Sequence, residues 1–92
     1  MRIFWSGPAK RQRKSIALYI AERDVSAALD ILELFTKSAR QISQFPYVGR
    51  LGRVEGTREF VVHPHYLLVY EVLDNKINIL SVLHTSQQYP PQ

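Results

Sequence analysis

The 92-residue chain carries 12 Lys+Arg against 8 Asp+Glu, a formal net charge of +4, and no cysteine. That length supports a single domain over residues 1–92 and leaves no room for a separate cofactor domain, while the missing thiols exclude a disulfide scaffold and thiolate-held zinc and fit a reducing compartment. No apolar run nears the roughly 20 residues of a membrane span, and the first residues lack the apolar core of a signal peptide, so a soluble cytoplasmic protein is expected, with no membrane association.

In chain order, Arg2–Ser6 mixes Ile3, Phe4 and Trp5 and reads as a short strand. Ser6-Gly7-Pro8 is a helix entry: Ser6 or Gly7 can cap, and Pro8 suits the first helical position. A helix from Ala9 to about Arg23 follows, carrying the basic cluster Lys10, Arg11, Arg13 and Lys14. Such a cluster draws nucleic acid or an acidic protein by long-range Coulomb attraction, or is simply a solvated helix face. Asp24 or Ser26 can cap a second helix. There Ala28, Ile31, Leu32, Phe35, Ala39 and Ile42 recur with the helical period and form one apolar stripe. The short connection predicts a helical hairpin.

Pro46 ends the helical half, and Tyr47–Arg53 reads as a glycine-bearing loop or short edge strand. Arg58–His63 is a strand closed by Pro64-His65. Tyr66–Leu73 is almost wholly apolar, as befits a central strand covered on both faces. Asp74-Asn75 supplies turn chemistry, and Lys76–His84 alternates Ile77, Ile79, Ser81 and Leu83 against Asn78, Leu80, Val82 and His84. The tail Thr85–Gln92 is irregular. A strand, a helical hairpin and then three or four antiparallel strands define a two-layer α+β fold, since only the sheet can bury the helical stripe. Phe35, Leu32, Ile31 and Ile42 are expected to pack on Leu68, Val69, Val72, Ile79 and Val82.

Several short motifs, taken together and in order, resemble the RelE/ParE superfamily of bacterial type II toxin–antitoxin toxins. They are Tyr19-Ile20-Ala21-Glu22, Phe45-Pro46 with Gly49-Arg50, Gly56-Thr57-Arg58-Glu59, Tyr66-Leu67-Leu68-Val69-Tyr70 and Ile79-Leu80-Ser81-Val82-Leu83-His84, closed by the Gln87–Pro90 tail. The resemblance implies a compact toxin neutralised by a cognate antitoxin in a hetero-oligomer, the antitoxin wrapping apolar grooves. It also implies one of two activities. RelE-like members cut mRNA on the ribosome; ParE-like members poison DNA gyrase.

Metal-free RNA cleavage needs a base for the 2′-hydroxyl, an acid for the leaving oxygen and cations for the phosphorane. RelE-like toxins carry an Arg just before the Leu-Val-Tyr run, where this chain has Leu67. Glu71 after that run would repel a phosphate, and Thr85–Gln88 replace the basic tail residues of RelE-like chains. These departures favour the ParE-like, gyrase-directed branch, in which the toxin acts by recognition rather than by its own chemistry. Its binding candidates are Lys10, Arg11, Arg13, Lys14, Arg50 and Arg53, with the tail and Trp5 behind them; Trp5 reads first as core. In the alternative, ribosome-dependent RNase reading, Arg50, Arg53 and Arg58 face a phosphate, His84 transfers a proton and Tyr89 stacks on a base. Against that stand structural readings: an edge salt bridge for Arg58, a hydrogen-bonded histidine for His84 and a pinned tail for Tyr89. A third possibility is a non-toxic relative that only binds its antitoxin and regulates their operon. His63-Pro64-His65 offers too few ligands for a metal, and no cofactor is expected.

Overall fold

Ser6 joins the first strand to the first helix. In the computed structural model, which describes residues 1–90, its Oγ accepts from the Ala9 amide at 3.1 Å and donates to the Leu80 carbonyl at 2.9 Å. Its own amide donates to the Ile79 carbonyl at 2.9 Å, so one residue caps a helix and ties it to the last strand. The capped helix, α1, spans Gly7–Ala21 and begins two residues earlier than expected, because Gly7 and Pro8 are already helical. Asp24 rather than Ser26 caps α2 (Val25–Gln44), its Oδ1 accepting from the Ala27 amide at 3.0 Å.

Five strands follow from the remaining sequence and the N-terminus: β1 (Arg2–Trp5), β2 (Arg50–Leu51), β3 (Thr57–His63), β4 (Tyr66–Leu73) and β5 (Lys76–His84). They form one sheet in the order β1-β5-β4-β3-β2. The β2 to β5 pairings are antiparallel, as the sequence implied, but β1 lies parallel against β5. The sequence left β1 unplaced; Arg2 aligns with Lys76 and Trp5 with Ile79, closing the sheet with the first strand beside the last. Asp74 and Asn75 both adopt positive φ (55° and 58°) in the tight β4–β5 turn, a conformation these residues tolerate.

The α2 stripe packs on the sheet through Ile31, Phe35, Ala39 and Ile42, against Leu68, Tyr70, Ile77, Ile79 and Val82. Two expectations are corrected here. Leu32 is only half-buried and turns toward α1, and Val69 lies on the opposite, helix-free face with Leu67 and Leu83. The strict alternation read along β5 also fails. Val69 pairs with Ser81 while Tyr70 pairs with Ile79, so Leu80 is an extra residue and the strand bulges. The bulge carries Val82 to the same side as Ile79. Gln12 of α1 satisfies it: its Oε1 accepts from the Val82 amide at 2.8 Å and from the Ser81 hydroxyl at 2.9 Å. The central strand β4 is covered on both faces, by the helices on one side and partly by Tyr89 on the other. The irregular tail is seen as far as Pro90; Pro91 and Gln92 lie outside the described residues.

Candidate functional site

Tyr70 and Arg58 are cross-strand partners on the helix-facing side, and together they fix the loop between α2 and β2. The Tyr70 hydroxyl donates to the Pro46 carbonyl at 2.8 Å and accepts from the Gly49 amide at 2.9 Å. Burial pushes the Tyr70 phenol above its usual pKa, against the opposing pull of the Gly49 amide and the Arg58 charge. Arg58 donates to the Gly49 carbonyl at 2.7 Å and the Tyr47 carbonyl at 3.3 Å, and its guanidinium sits 5.1 Å from the Tyr47 ring centroid. Gly49 is needed for this close approach, because a Cβ there would stand 2.8 Å from both the Glu59 carbonyl oxygen and the Tyr70 hydroxyl. Arg58 is thus largely committed to holding backbone.

His84 lies elsewhere. It pairs with Tyr66 at the far end of β4 from Tyr70, four residues or about 13 Å along the strand from the level of Arg58. Its Nδ1 accepts from the Ser86 amide at 3.1 Å and contacts the Ser86 hydroxyl at 2.8 Å. The neutral ring therefore carries its proton on Nε2 and has no free lone pair to take a proton from a substrate. Its ring stacks on His65 (5.6 Å between centroids, 19° between planes) and meets Tyr66 edge-on. His63 likewise spends its Nδ1 on the His65 amide at 3.1 Å. Among the described residues, no group of three His, Cys, Asp or Glu is placed to hold a metal ion.

Tyr89 sits on the helix-free face, against Leu67, Val69 and Leu83. Arg58, His84 and Tyr89 are therefore distributed over two faces and both ends of the sheet. Of the loop cations, Arg50 pairs with Glu59 at 3.0 Å and Arg53 is hydrogen-bonded to Gln88, which links the β2–β3 loop to the tail. Glu71 accepts from Asn78 Nδ2 at 3.1 Å.

The α1 cations have a different setting. Lys10, Arg13 and Lys14 border a groove of about 540 Å³ between α1 and α2, whose floor and walls include Ala17, Leu18, Ala21, Val25, Ala28, Leu29 and Leu32. Leu18, Val25 and Leu29 are 58%, 64% and 62% exposed, so this is open apolar surface rather than core. Arg11, exposed on the same helix, is not among the groove residues. Trp5, expected as core, is only half-buried against it, and it is also the platform for Arg13, whose guanidinium lies 4.3 Å from its ring centroid. Sequence reading missed the groove. The signal was there in Leu18, Val25 and Leu29, apolar residues left off both buried stripes.

This two-helix, five-stranded arrangement is shared with known proteins. A family model described as ParE toxin of the type II toxin–antitoxin system parDE matches residues 3–89. The protein named "Putative toxin Y4kP" from Sinorhizobium fredii is 32% identical over 90 residues, covering 97% of this chain and 93% of that one. A structure of the chromosomal ParDE toxin–antitoxin system from P. aeruginosa superposes with a TM-score of 0.79 at 19% identity, over 91% of this chain and 95% of that one. The solution structure of the conserved hypothetical protein HP0894 from Helicobacter pylori gives a TM-score of 0.60 at 21% identity, over 94% and 96% of the two chains. The chain belongs to the ParE family of type II toxin–antitoxin toxins.

Proposed function

We propose that this toxin arrests bacterial growth in the cytoplasm by poisoning DNA gyrase, and that a cognate antitoxin neutralises it by covering the α1–α2 groove. The observation that carries the gyrase reading, beside the family match over residues 3–89, is the scatter of the proton-transfer candidates. An RNase needs its base, acid and phosphate cations within reach of one scissile bond. Here Arg58 is tied to the Gly49 and Tyr47 carbonyls, the His84 lone pair faces Ser86, and Tyr89 lies behind the sheet. Recognition of a large enzyme asks instead for surface. This molecule offers the basic first helix, with Lys10, Arg11, Arg13 and Lys14, and the loop bearing Arg50 and Arg53 linked to the tail through Gln88. Gyrase would be held in its DNA-cleaved state by the bound toxin, with no bond made or broken by toxin side chains.

The test combines purified toxin, DNA gyrase, ATP and supercoiled plasmid, followed by protease and detergent. Toxin-dependent linear DNA is the expected product. If folded toxin yields neither linear DNA nor inhibition of supercoiling, the activity moves to ribosome-bound mRNA, with Arg50, Arg53, Arg58, His84 and Tyr89 the residues to vary. If cells expressing folded toxin without antitoxin keep growing, the chain is a non-toxic antitoxin-binding relative.

A further inference from the structure

One edge of the sheet carries opposed cations that no carboxylate pairs among the described residues. We infer that the β1 edge is a phosphate-binding rim for duplex DNA, with Arg2 and Lys76 on one side of the sheet and Arg13 on the other.

β1 is an outer strand, and its side chains alternate across the sheet. Ile3 and Trp5 pack against the core beneath the helices, so Arg2 and Phe4 take the helix-free side. Arg2 stands directly opposite Lys76 in the β1–β5 register. Like charges that face each other across paired strands are destabilising. Both cations instead share Phe4, which is 40% exposed. The Arg2 guanidinium lies 5.2 Å and the Lys76 ammonium 5.4 Å from its ring centroid. One ring thus gathers two positive charges. Neither Asp74, in the turn before Lys76, nor Glu71, opposite Asn78, forms an ion pair with them, and Glu71 accepts from Asn78 Nδ2 instead. A bound anion would relieve a repulsion that the free fold carries.

The other face repeats the device. Trp5 holds the Arg13 guanidinium, and Lys10 lies about one helical turn before Arg13; neither cation has an ion-pair partner among the described residues. Stacking fixes where a guanidinium sits, so less side-chain freedom is lost when it takes a phosphate. The edge therefore presents held cations on both sides of one short strand.

A phosphate backbone suits this edge better than an acidic peptide. A peptide docks on a sheet edge by main-chain pairing, and a four-residue strand turns only alternate residues outward, here two. A polyanion needs only the charges. Gyrase, on the reading above, works on duplex DNA, and the choice of polyanion rests on that reading.

The probe is an end-labelled duplex of about 20 base pairs and mixed sequence, titrated with full-length toxin in the absence of gyrase and followed by anisotropy from about 50 to 200 mM KCl. Three phosphate contacts predict that log affinity falls with log salt at a slope of about −2.7. Arg2→Gln with Lys76→Gln should flatten that slope by about 1.8, the share of two contacts. Arg2→Glu and Lys76→Glu should each weaken binding about tenfold at low salt. Arg23→Glu is the same change of charge at the hairpin turn, an α1 length of about 22 Å away, and should cost less than about twofold. Lys76→Gln should leave the urea midpoint unchanged or raise it, because it removes a repulsion. A lowered midpoint with unaltered DNA affinity makes the cluster structural and overturns the proposal. So does an equal loss with Arg23→Glu, which leaves net charge as the sole cause, or tighter binding of polyglutamate of matched charge, which assigns the edge to a protein. DNA binding without gyrase poisoning fails the earlier reading alone. Gyrase poisoning by a toxin whose DNA affinity ignores both reversals fails this one alone.

Discussion

At Tyr70, a single phenol closes the loop between the helical and strand halves. Tyr70→Phe removes the acceptor of the buried Gly49 amide and the donor to the part-buried Pro46 carbonyl, leaving both unpaired. A loss of about 1–3 kcal/mol is expected in urea unfolding. The pH dependence follows from the raised phenol pKa. The folded state holds the neutral phenol while the unfolded chain ionises near pH 10, so the contribution is full below about pH 10 and is lost as pH rises through the higher folded value. Comparing wild type with Tyr70→Phe across that alkaline range should show the steeper decline in the wild type. None of this was legible in the sequence: Tyr70 read as one apolar residue in a central strand, because a hydroxyl's partner 21 residues away leaves no local pattern. The same holds for His84. Its position at a strand end was readable, but its bond to Ser86, which removes it as a ready base, was not.

Among the elements, α2 was the most legible because a 3.6-residue period is local and repeated. Its largest fully buried side chain is Phe35, edge-on to Tyr66. Phe35→Ala should cost about 3–5 kcal/mol, read by chemical denaturation, a large share of a small domain's total stability. The β5 bulge was the least legible element. It depends on Gln12, about seventy residues away, capping the Val82 amide, and the strand sequence itself reads as plain alternation. Gln12→Ala leaves that amide and the Ser81 hydroxyl without their acceptor, and an expected loss of about 1–3 kcal/mol can be measured by the same denaturation. Leu32 and Val69 were misplaced for related reasons. A helical stripe has a width, and its margin faced the hairpin partner. A strand covered on both faces gives no sign of which face its residues take.

For the whole molecule, the sequence carried the two-layer architecture and the family, while the candidate functional surface, the α1–α2 groove, emerged only in three dimensions. The cations that looked alike along the chain separate into a basic groove end on α1, an ion-paired Arg50 and a tail-linked Arg53. If recognition surface rather than an acid–base set does the work, His84→Ala should retain growth arrest when expressed without antitoxin. Phe35→Ala should lose it by unfolding, and circular dichroism of the purified variants separates that cause from loss of a contact.

The first strand beside the last has a consequence for biosynthesis. β1 leaves the ribosome ahead of both helices, whereas its hydrogen-bonding partner, residues 76–79 of β5, follows them and β2 to β4. Until then Ser6 lacks both carbonyls that anchor it, at Ile79 and Leu80. A nascent or prematurely terminated chain that stops before β5 therefore loses the partner of its own N-terminus and also the core residues Ile77, Ile79 and Val82. Chains that stop before β5 should fail to fold and be inert, so the proposed activity waits on the strand that closes the sheet.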